Sequence, residues 1–335
     1  MWKKLSCSFA ELNLDITLGG GQSFRWSKSV EGEWLGAIYG HICSLKRDTN
    51  GNLLYQFHTP IKNTLQNDKE LPPAKRQRKA KSKVQNTVPL KKEESPLKYH
   101  ENILKEYFNL NFPLVENYDS WSELDENFKK VSQKYKGIRI LRQDPVENLF
   151  SFICSTNNNI PRITSMVEKL CLNYGEKIGD VNGQEFHDFP KIDRLAKPDV
   201  EQELRQMGFG YRAKYIHQTA KVLQNEKPEG WLQNLRKVTY KEAHNALISL
   251  PGVGAKVADC VCLMSLDKYE AIPIDTHIWQ VTVKDYIPKF KAAKTLTGQI
   301  YQEVGDFYRE RFGDCAGWAN TVLFASDLKM FKDSK

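Results

Sequence analysis

The sequence predicts an α+β protein in which a small antiparallel β-sheet domain precedes an all-α bundle. Two observations support this prediction. Strand-like segments separated by turn residues fill the chain up to about Pro60, and beyond Tyr99 apolar residues recur at helical spacing. The chain has 335 residues, of which 40% are hydrophobic, and this is enough to build ordinary packed cores. We therefore expect about two or three domains.

The sheet is predicted from short segments at 24–26, 34–39, 42–45 and 53–57. They are rich in aromatic and branched apolar residues, and turn residues such as those at 48–51 separate them. We assign 1–61 to the first part of the sheet domain and 62–96 to a basic insertion. The stretch 97–130 completes the N-terminal domain in this prediction, and 131–335 forms the helical bundle.

The insertion at 62–96 has few large apolar residues and many Lys, Arg, Gln, Pro and Ser residues, which predicts disorder. Eight basic residues and no acid lie between Lys75 and Lys92, and they account for the whole net charge of +8. The run from Lys75 to Lys83 is typical of a signal bound by a nuclear import receptor, or of a tether that seeks phosphates. A solvated charged loop is the alternative. We expect a nuclear protein, with a mitochondrial copy as a second option.

The helices are predicted at 102–108, 121–135, 146–154, 163–172, 213–223, 240–250, 255–266, 278–283 and 300–312. Start signals precede them, for instance Asn159 ahead of Pro161, where proline fits the first turn of a helix.

Composition also excludes several classes of protein. No apolar run approaches the roughly 20 residues that cross a bilayer, and the start lacks the apolar stretch of a secretory signal. We therefore expect an intracellular protein without a membrane partner. The seven cysteines form no C-x-x-C pair, so neither a disulfide framework nor a zinc site is predicted.

The segment 250–259, Leu-Pro-Gly-Val-Gly-Ala-Lys-Val-Ala-Asp, carries the strongest functional signal. Its proline ends one helix, its glycines permit a tight hairpin, and a strong helix former follows. The second helix then begins with free backbone N–H groups beside residues without side chains, so a phosphate can approach closely. We predict a helix-hairpin-helix that grips a DNA backbone. A plain αα-hairpin is the alternative.

Lys256 stands in the first turn of that second helix, where the helix dipole disfavours a positive charge. Removal from water and the positive helix end both favour the uncharged, nucleophilic form of an amine. We therefore predict that Lys256 is a nucleophile. A surface lysine that touches DNA phosphate is the alternative.

Asp275 follows a proline-bearing extended run and precedes a new helix, where an N-cap is expected. Capping is the commoner role for such a residue. The two roles are compatible, because a capping carboxylate is held rigidly and can stabilise a sugar that becomes oxocarbenium-like as its base leaves.

The motif at 250–260, followed by Pro-Ile-Asp-Thr-His at 273–277, closely resembles the eukaryotic 8-oxoguanine DNA glycosylase/AP lyase family. Further matches lie at 21–26, 142–145, 150–154, 157–159, 210–213 and 317–319, so the likeness spans nearly the whole chain outside the insertion. The resemblance implies a TBP-like sheet domain and a helix-hairpin-helix glycosylase bundle. It also implies a monomer that flips 8-oxoguanine out of duplex DNA and excises it opposite cytosine, without a cofactor.

The resemblance also assigns roles to individual residues. Lys256 would form a Schiff base with C1′ and Asp275 would assist it. The Gly21 carbonyl would accept the N7–H that 8-oxoguanine has and guanine lacks, and Phe324 would stack on the base. The remaining residues of the base pocket would be Asn320, Pro273, Cys260 and Met264. The family commonly has glutamine where Asn320 stands, which leaves the preference among oxidised purines open.

Three further groups of residues follow from the resemblance. The orphaned cytosine would be read by Asn157, Arg162 and Arg212, with Tyr211 wedged into the gap. An N-cap for Asn157 and phosphate contacts for the arginines are the alternatives. DNA phosphates would meet Gly252, Gly254, His277 and Val257. A structural monovalent or calcium ion could bind the hairpin through the backbone carbonyls of Ile248, Leu250 and Val253.

Competing functions differ in testable ways. An endonuclease III-type enzyme needs a four-cysteine cluster after its last helix, and only Cys315 lies there. A glycosylase for alkylated bases needs no lysine at the hairpin. A non-catalytic protein that binds DNA lesions would have no need for both Lys256 and Asp275.

Overall fold

The computed structural model describes residues 1–59, 96–293, 295–328 and 331. Residues 62–95 of the basic insertion, including the run from Lys75 to Lys83, lie outside these residues.

The N-terminal part is built on an antiparallel sheet with the strand order β1-β5-β4-β3-β2. Its strands are β1 Lys3–Leu5, β2 Trp26–Lys28, β3 Trp34–Ile38, β4 His41–Arg47 and β5 Leu53–Phe57. The tight turn between β3 and β4 sets a register in which Ala37 pairs with Ile42. One face of the sheet packs on Leu104 and Phe108 at the end of α2, and Ile42, on the other face, contacts Phe186 of a later hairpin. The sheet is therefore covered on both sides.

The remaining elements are almost all helical. They are α1 Leu14–Gly19, α2 Pro96–Tyr107, α3 Leu114–Leu124, α4 Glu126–Lys134, α5 Pro145–Ser155, α6 Ile160–Tyr174, α7 Ile192–Leu195, α8 Val200–Gln206, α9 Arg212–Asn225, α10 Trp231–Asn234, α11 Tyr240–Ile248, α12 Ala255–Ser265, α13 Thr276–Val281, α14 Gly298–Phe312 and α15 Ala316–Asp327. Helix α5 packs against α12, and α13 packs against α15. Within the described ranges, no helix is both long and apolar enough to cross a bilayer.

Several helices begin where their capping residues predict. The side chain of Asn159 accepts the N–H of Arg162 at the start of α6, and Thr239 and Glu242 form a capping box at the start of α11. Asn159 is thus the cap of α6, as predicted. The alternative that Asn157 is an N-cap is wrong, because Asn157 lies before the helix with a φ of 47°.

Several local predictions differ from the structure. The helix expected at 121–135 is two helices, because Asp125 ends α3 and its side chain caps α4 by accepting the N–H of Phe128. Helix α1 was not predicted. Neither was the hairpin of β6 Lys177–Val181 and β7 Gln184–His187, whose strands carry many charged residues and bury few side chains. The helical region is therefore not free of strands.

Most of the helical part shares one apolar core, which also includes Leu114, Trp121 and Phe128 of α3 and α4. Helix α2 packs instead with the sheet. Five of the seven cysteines are buried, all except Cys7 and Cys315.

Candidate active site

Lys256 is the second residue of α12, and its side chain is partly buried. Its Nζ lies 4.9 Å from the centroid of the Phe152 ring on α5. The face of an aromatic ring attracts positive charge and excludes water, so the ring keeps the amine at the protein wall. No role was predicted for Phe152, because the apolar run 149–154 is typical of a helix buried in the core.

The Cys260 thiol lies one turn further along α12. Both predicted catalytic residues influence its pKa. Burial raises its pKa to about 11, while the nearby Lys256 amine lowers this pKa and the Asp275 carboxylate raises it. The charges of Lys256 and Asp275 therefore both reach the same buried sulfur. Cys260, predicted as a base-pocket residue, therefore lies near both charged groups.

Asp275 is the N-cap of α13, as predicted. Its Oδ1 accepts the backbone N–H groups of His277 at 2.9 Å and Ile278 at 3.0 Å. Among the described residues, Oδ2 has no hydrogen-bond partner. One carboxylate oxygen is thus fixed by the helix while the other remains available to a ligand.

Gly21 is held in place through its neighbour Gln22. The Gln22 amide donates to the Arg139 carbonyl at 2.7 Å and accepts the Leu141 N–H at 3.0 Å. Gln143 then donates to the Gln22 carbonyl at 2.8 Å, and its own N–H binds the Met264 carbonyl of α12 at 2.8 Å. Gly21 is therefore tied to the helix that carries Lys256, across more than 200 residues of sequence.

Gly21 itself has a φ of +82°, and a Cβ there would lie 3.2 Å from Ile160 Cδ1. Both the backbone conformation and the close neighbour explain the absence of a side chain.

The predicted base pocket includes a buried polar group without a partner. Asn320 on α15 is 2% exposed, and its Nδ2 has no hydrogen-bond partner among the described residues. Phe324 lies one turn later, partly exposed, with its ring edge-to-face with His277 at 5.7 Å. Pro273 is partly exposed just before Asp275, and Met264 is buried. A buried amide donor without a partner is unfavourable unless a ligand or water satisfies it.

The hairpin predicted to bind phosphate has the required turn. Gly252 has a φ of +75°, and a Cβ there would lie 2.5 Å from the side chain of Tyr215, so only glycine fits. Gly254 is exposed and precedes α12. Val257 is buried, so it can meet a phosphate only through its backbone N–H in the first helical turn.

His277 lies close to these groups, and its Nδ1 is 2.8 Å from Oδ2 of Asp327. This contact fixes the orientation of the imidazole ring.

Three of the four residues predicted at the opposite base, Asn157, Tyr211 and Arg212, form one cluster where the loop after α5 meets the start of α9, and the fourth, Arg162, lies on α6. Arg212 is 3% exposed and donates to the Thr156 carbonyl through Nε and Nη2 and to the Asn157 carbonyl through Nη2. Its guanidinium lies 4.7 Å from the Tyr211 ring centroid, and the Tyr211 hydroxyl also donates to Thr156. Arg162 is exposed and donates to the Gly208 carbonyl at 3.4 Å. The cluster holds the exposed Asn157 and Tyr211 at the protein surface.

Sequence comparisons place these residues in a known family. The family described as 8-oxoguanine DNA glycosylase, N-terminal domain, matches residues 4–149, and the helix-hairpin-helix superfamily of base excision DNA repair proteins matches residues 150–305. The N-glycosylase/DNA lyase OGG1 of Arabidopsis thaliana is 39% identical over 331 residues, which cover 98% of this chain and 80% of the relative. The N-glycosylase/DNA lyase of Saccharomyces cerevisiae is 40% identical over 250 residues, which cover 67% of this chain and 66% of that protein.

A solved structure agrees with this assignment. The 8-oxoguanine glycosylase/lyase of Clostridium acetobutylicum, in complex with double-stranded DNA containing cytosine opposite 8-oxoguanine, superposes with a TM-score of 0.75 at 26% identity. The match covers 97% of this chain and 96% of that one. From its two domains, its hairpin lysine and these relatives, the chain belongs to the 8-oxoguanine DNA glycosylase family.

Proposed function

We propose that this protein is a bifunctional DNA glycosylase/AP lyase that flips 8-oxoguanine out of duplex DNA and excises it opposite cytosine. The observation that carries the proposal is the placement of the Lys256 amine, which lies against the Phe152 ring and near the buried Cys260 thiol, whose pKa the Asp275 carboxylate also raises. A target base inside a duplex is out of reach of such an amine, so the nucleotide must be extruded first.

The chemistry follows from these two side chains. The lone pair of Lys256 Nζ forms a bond to C1′ as the bond between C1′ and the base breaks, and the base leaves with the bonding electrons and takes up a proton. The free Oδ2 of Asp275 stabilises the positive charge that develops on the sugar. Opening of the sugar ring then gives a Schiff base between Lys256 and C1′.

The strand is cut in a second stage. Loss of a proton from C2′ and departure of the 3′ phosphate complete a β-elimination. Water then hydrolyses the Schiff base and returns the lysine amine. The chain supplies all the reacting protein groups, so this route needs no cofactor.

Base selection rests on Gly21 and on the amide of Asn320. The Gly21 carbonyl accepts the N7–H of 8-oxoguanine, which guanine lacks, and the unpartnered Nδ2 of Asn320 donates to the pairing edge of the base. One unmade hydrogen bond in a dry pocket costs about 1–3 kcal/mol, enough to discriminate against normal guanine. Phe324 stacks on the extruded ring.

The opposite cytosine is read by Arg212, Arg162 and Asn157, with Tyr211 filling the gap. The pairing edge of cytosine has two adjacent acceptors, and arginine is purely a donor. Adenine has only one acceptor on that edge, so we expect slower excision opposite adenine.

An excision assay tests this function. Wild-type protein should release the base and nick a duplex that contains 8-oxoguanine opposite cytosine, whereas Lys256→Gln should bind the same duplex with little loss of affinity and release nothing. Tight binding by the wild-type protein without any base release would instead support a non-catalytic lesion-binding protein.

The proposal extends to the setting of the protein in the cell. The basic run between Lys75 and Lys83 binds a nuclear import receptor, and the protein works in the nucleus as a monomer, with a mitochondrial copy as the alternative. A fluorescent fusion in which the basic residues of this run are changed to alanine should lose nuclear accumulation if the run is the signal. Sedimentation equilibrium on the wild-type protein should give the mass of one chain.

The hairpin carbonyls of Ile248, Leu250 and Val253 are proposed to hold a structural cation. The Leu250 carbonyl already accepts the Val253 N–H at 3.2 Å, which leaves it one free lone pair. Among the described residues, no cluster of three or more His, Cys, Asp or Glu side chains could hold a metal ion. Neutral carbonyls alone suit a monovalent cation better than calcium, which prefers carboxylates. Thermal melting in potassium, sodium and calcium salts tests the site, and equal melting temperatures would argue against it.

A further inference from the structure

A buried carboxylate, Asp259, lies on α12 one turn after Lys256 and takes no part in the proposed chemistry. Asp259 is 1% exposed. Its Oδ1 accepts the hydroxyl of Tyr240 at 2.6 Å, and its Oδ2 accepts the hydroxyl of Tyr301, also at 2.6 Å. A buried carboxylate that accepts a short hydrogen bond on each oxygen holds both donor residues firmly in place. Asp259 therefore fixes Tyr240 and Tyr301 relative to α12.

Tyr301 extends this anchor to the segment that carries Asp275. Its oxygen accepts the backbone N–H of Ile274 at 3.2 Å, and Ile274 directly precedes Asp275. The hydroxyl also lies 3.2 Å from the Ile272 carbonyl, but it has one proton, and the shorter contact to a carboxylate takes it. The Ile274 N–H, the Tyr301 hydroxyl and Asp259 Oδ2 therefore form a continuous chain of donors and acceptors.

Tyr240 reaches the same carboxylate from a different direction. It begins α11, the first helix of the hairpin, and its hydrogen bond ties α11 to α12. Among the hydrogen bonds of the described residues, Tyr240 makes none to the segment 272–274. His244, also on α11, lies 3.5 Å from Oδ1 of Asp259 and can balance its charge when protonated.

The connection matters because the two predicted catalytic groups lie on separate elements. Lys256 lies on α12, whereas Asp275 lies at the end of an extended segment that precedes α13. Phe152 and the cap of α13 orient each group, but neither sets the distance between the two elements. In catalysis, a displacement of about 1 Å between reacting groups can lower the rate about 100-fold.

We propose that Asp259 and Tyr301 form a bridge that fixes Asp275 relative to Lys256, so both are positioning residues for the reaction. This inference rests on the proposed function. It assigns the side chain of Tyr301 a role in the chemical step that acts through its hydrogen bonds to Asp259 and Ile274.

A pair of matched variants tests the bridge. Tyr301→Phe and Tyr240→Phe each remove one hydroxyl that lies 2.6 Å from the same carboxylate, but only Tyr301→Phe also breaks the link to Ile274. In single-turnover excision from an 8-oxoguanine:cytosine duplex, Tyr301→Phe should be about 10-fold slower than the wild-type protein. Tyr240→Phe should be slower by less than about threefold. The dissociation constant for the duplex should stay unchanged in both, because each hydroxyl is engaged in a hydrogen bond to Asp259 within the protein.

The asymmetry between the two variants decides the question. Equal rates for the two variants, or a wild-type rate in Tyr301→Phe, would refute the bridge. Asp259→Leu provides a second test if Tyr301→Phe does not fold, since it keeps a side chain of similar size but removes both acceptors. A folded Asp259→Leu protein that excises at the wild-type rate would also refute it. A wild-type protein that releases no base would refute the proposed function instead.

Discussion

The Nζ atom of Lys256 lies 4.9 Å from the centroid of the Phe152 ring. The predicted nucleophile is therefore in contact with a side chain of α5 and does not extend into open solvent. Phe152 is 3% exposed, and its ring also packs edge-to-face on Phe24, three residues after Gly21. The same ring therefore connects the predicted nucleophile with the segment predicted to recognise the base.

We predict that Phe152→Leu slows single-turnover excision about twofold to thirtyfold, because it removes a ring contact of about 0.5–2 kcal/mol that positions the amine. Phe150→Leu is the matched control. Phe150 is equally buried on the same helix, but it stacks on Phe189. Thermal melting should show similar destabilisation in the two variants, and the prediction fails if their excision rates fall by the same factor.

Gly21→Ala should reduce 8-oxoguanine excision strongly while binding to undamaged duplex persists. The added methyl group meets Ile160 at 3.2 Å and strains a positive φ, so the carbonyl that we propose accepts N7–H must move. Gly32→Ala has nearly the same φ, +83°, with no atom within 4 Å of the new Cβ. Both variants should lose about 1 kcal/mol of stability, and full excision by Gly21→Ala would show that its backbone does not read the base.

Asn320 should affect stability and activity in opposite directions. Asn320→Leu removes a buried donor that has no partner, so the free energy of unfolding should rise by about 1 kcal/mol, while excision falls because the pairing edge of the base loses its contact. Asn320→Gln should keep or raise excision. A large loss of activity in Asn320→Gln would show that the residue has another role.

The ion pair of Arg25 and Glu147 predicts a pH dependence of stability. Burial raises the pKa of Glu147 from 4.5 to about 7, against the opposing effect of Arg25. Between these two values the folded protein keeps the proton that the unfolded chain has lost, so stability falls as pH rises from about 4.5 to about 7, by up to about 3 kcal/mol. The melting temperature should change less with pH across this range in Glu147→Gln than in the wild-type protein. An equal change of melting temperature with pH in the two proteins would contradict the assignment.

Much of the site can be predicted from the sequence because it is built from local signals. The hairpin at 250–254, the lysine that follows and the cap at Asp275 each depend on backbone conformation within a few residues, and the structure has the hairpin and the cap where those residues predict them. The antiparallel sheet also follows from short apolar segments and turns.

The contacts that assemble the site could not be predicted in this way. Gln22 binds residues more than 100 positions away, and Tyr301 reaches Asp259 from another helix. A glutamine or tyrosine that closes such a contact leaves no periodic signal. The break at Asp125 was missed for a related reason, since the apolar spacing continues across it and only the capping side chain reveals the helix start.

Covalent trapping at Lys256 tests the central claim most directly. Wild-type protein is incubated with an 8-oxoguanine:cytosine duplex and borohydride, which reduces a Schiff base to a stable amine, and the cross-linked peptide is then identified by mass spectrometry. We predict a cross-link at Lys256 that is lost in Lys256→Gln. A cross-link at any other lysine, or base release without trapping, would contradict the account.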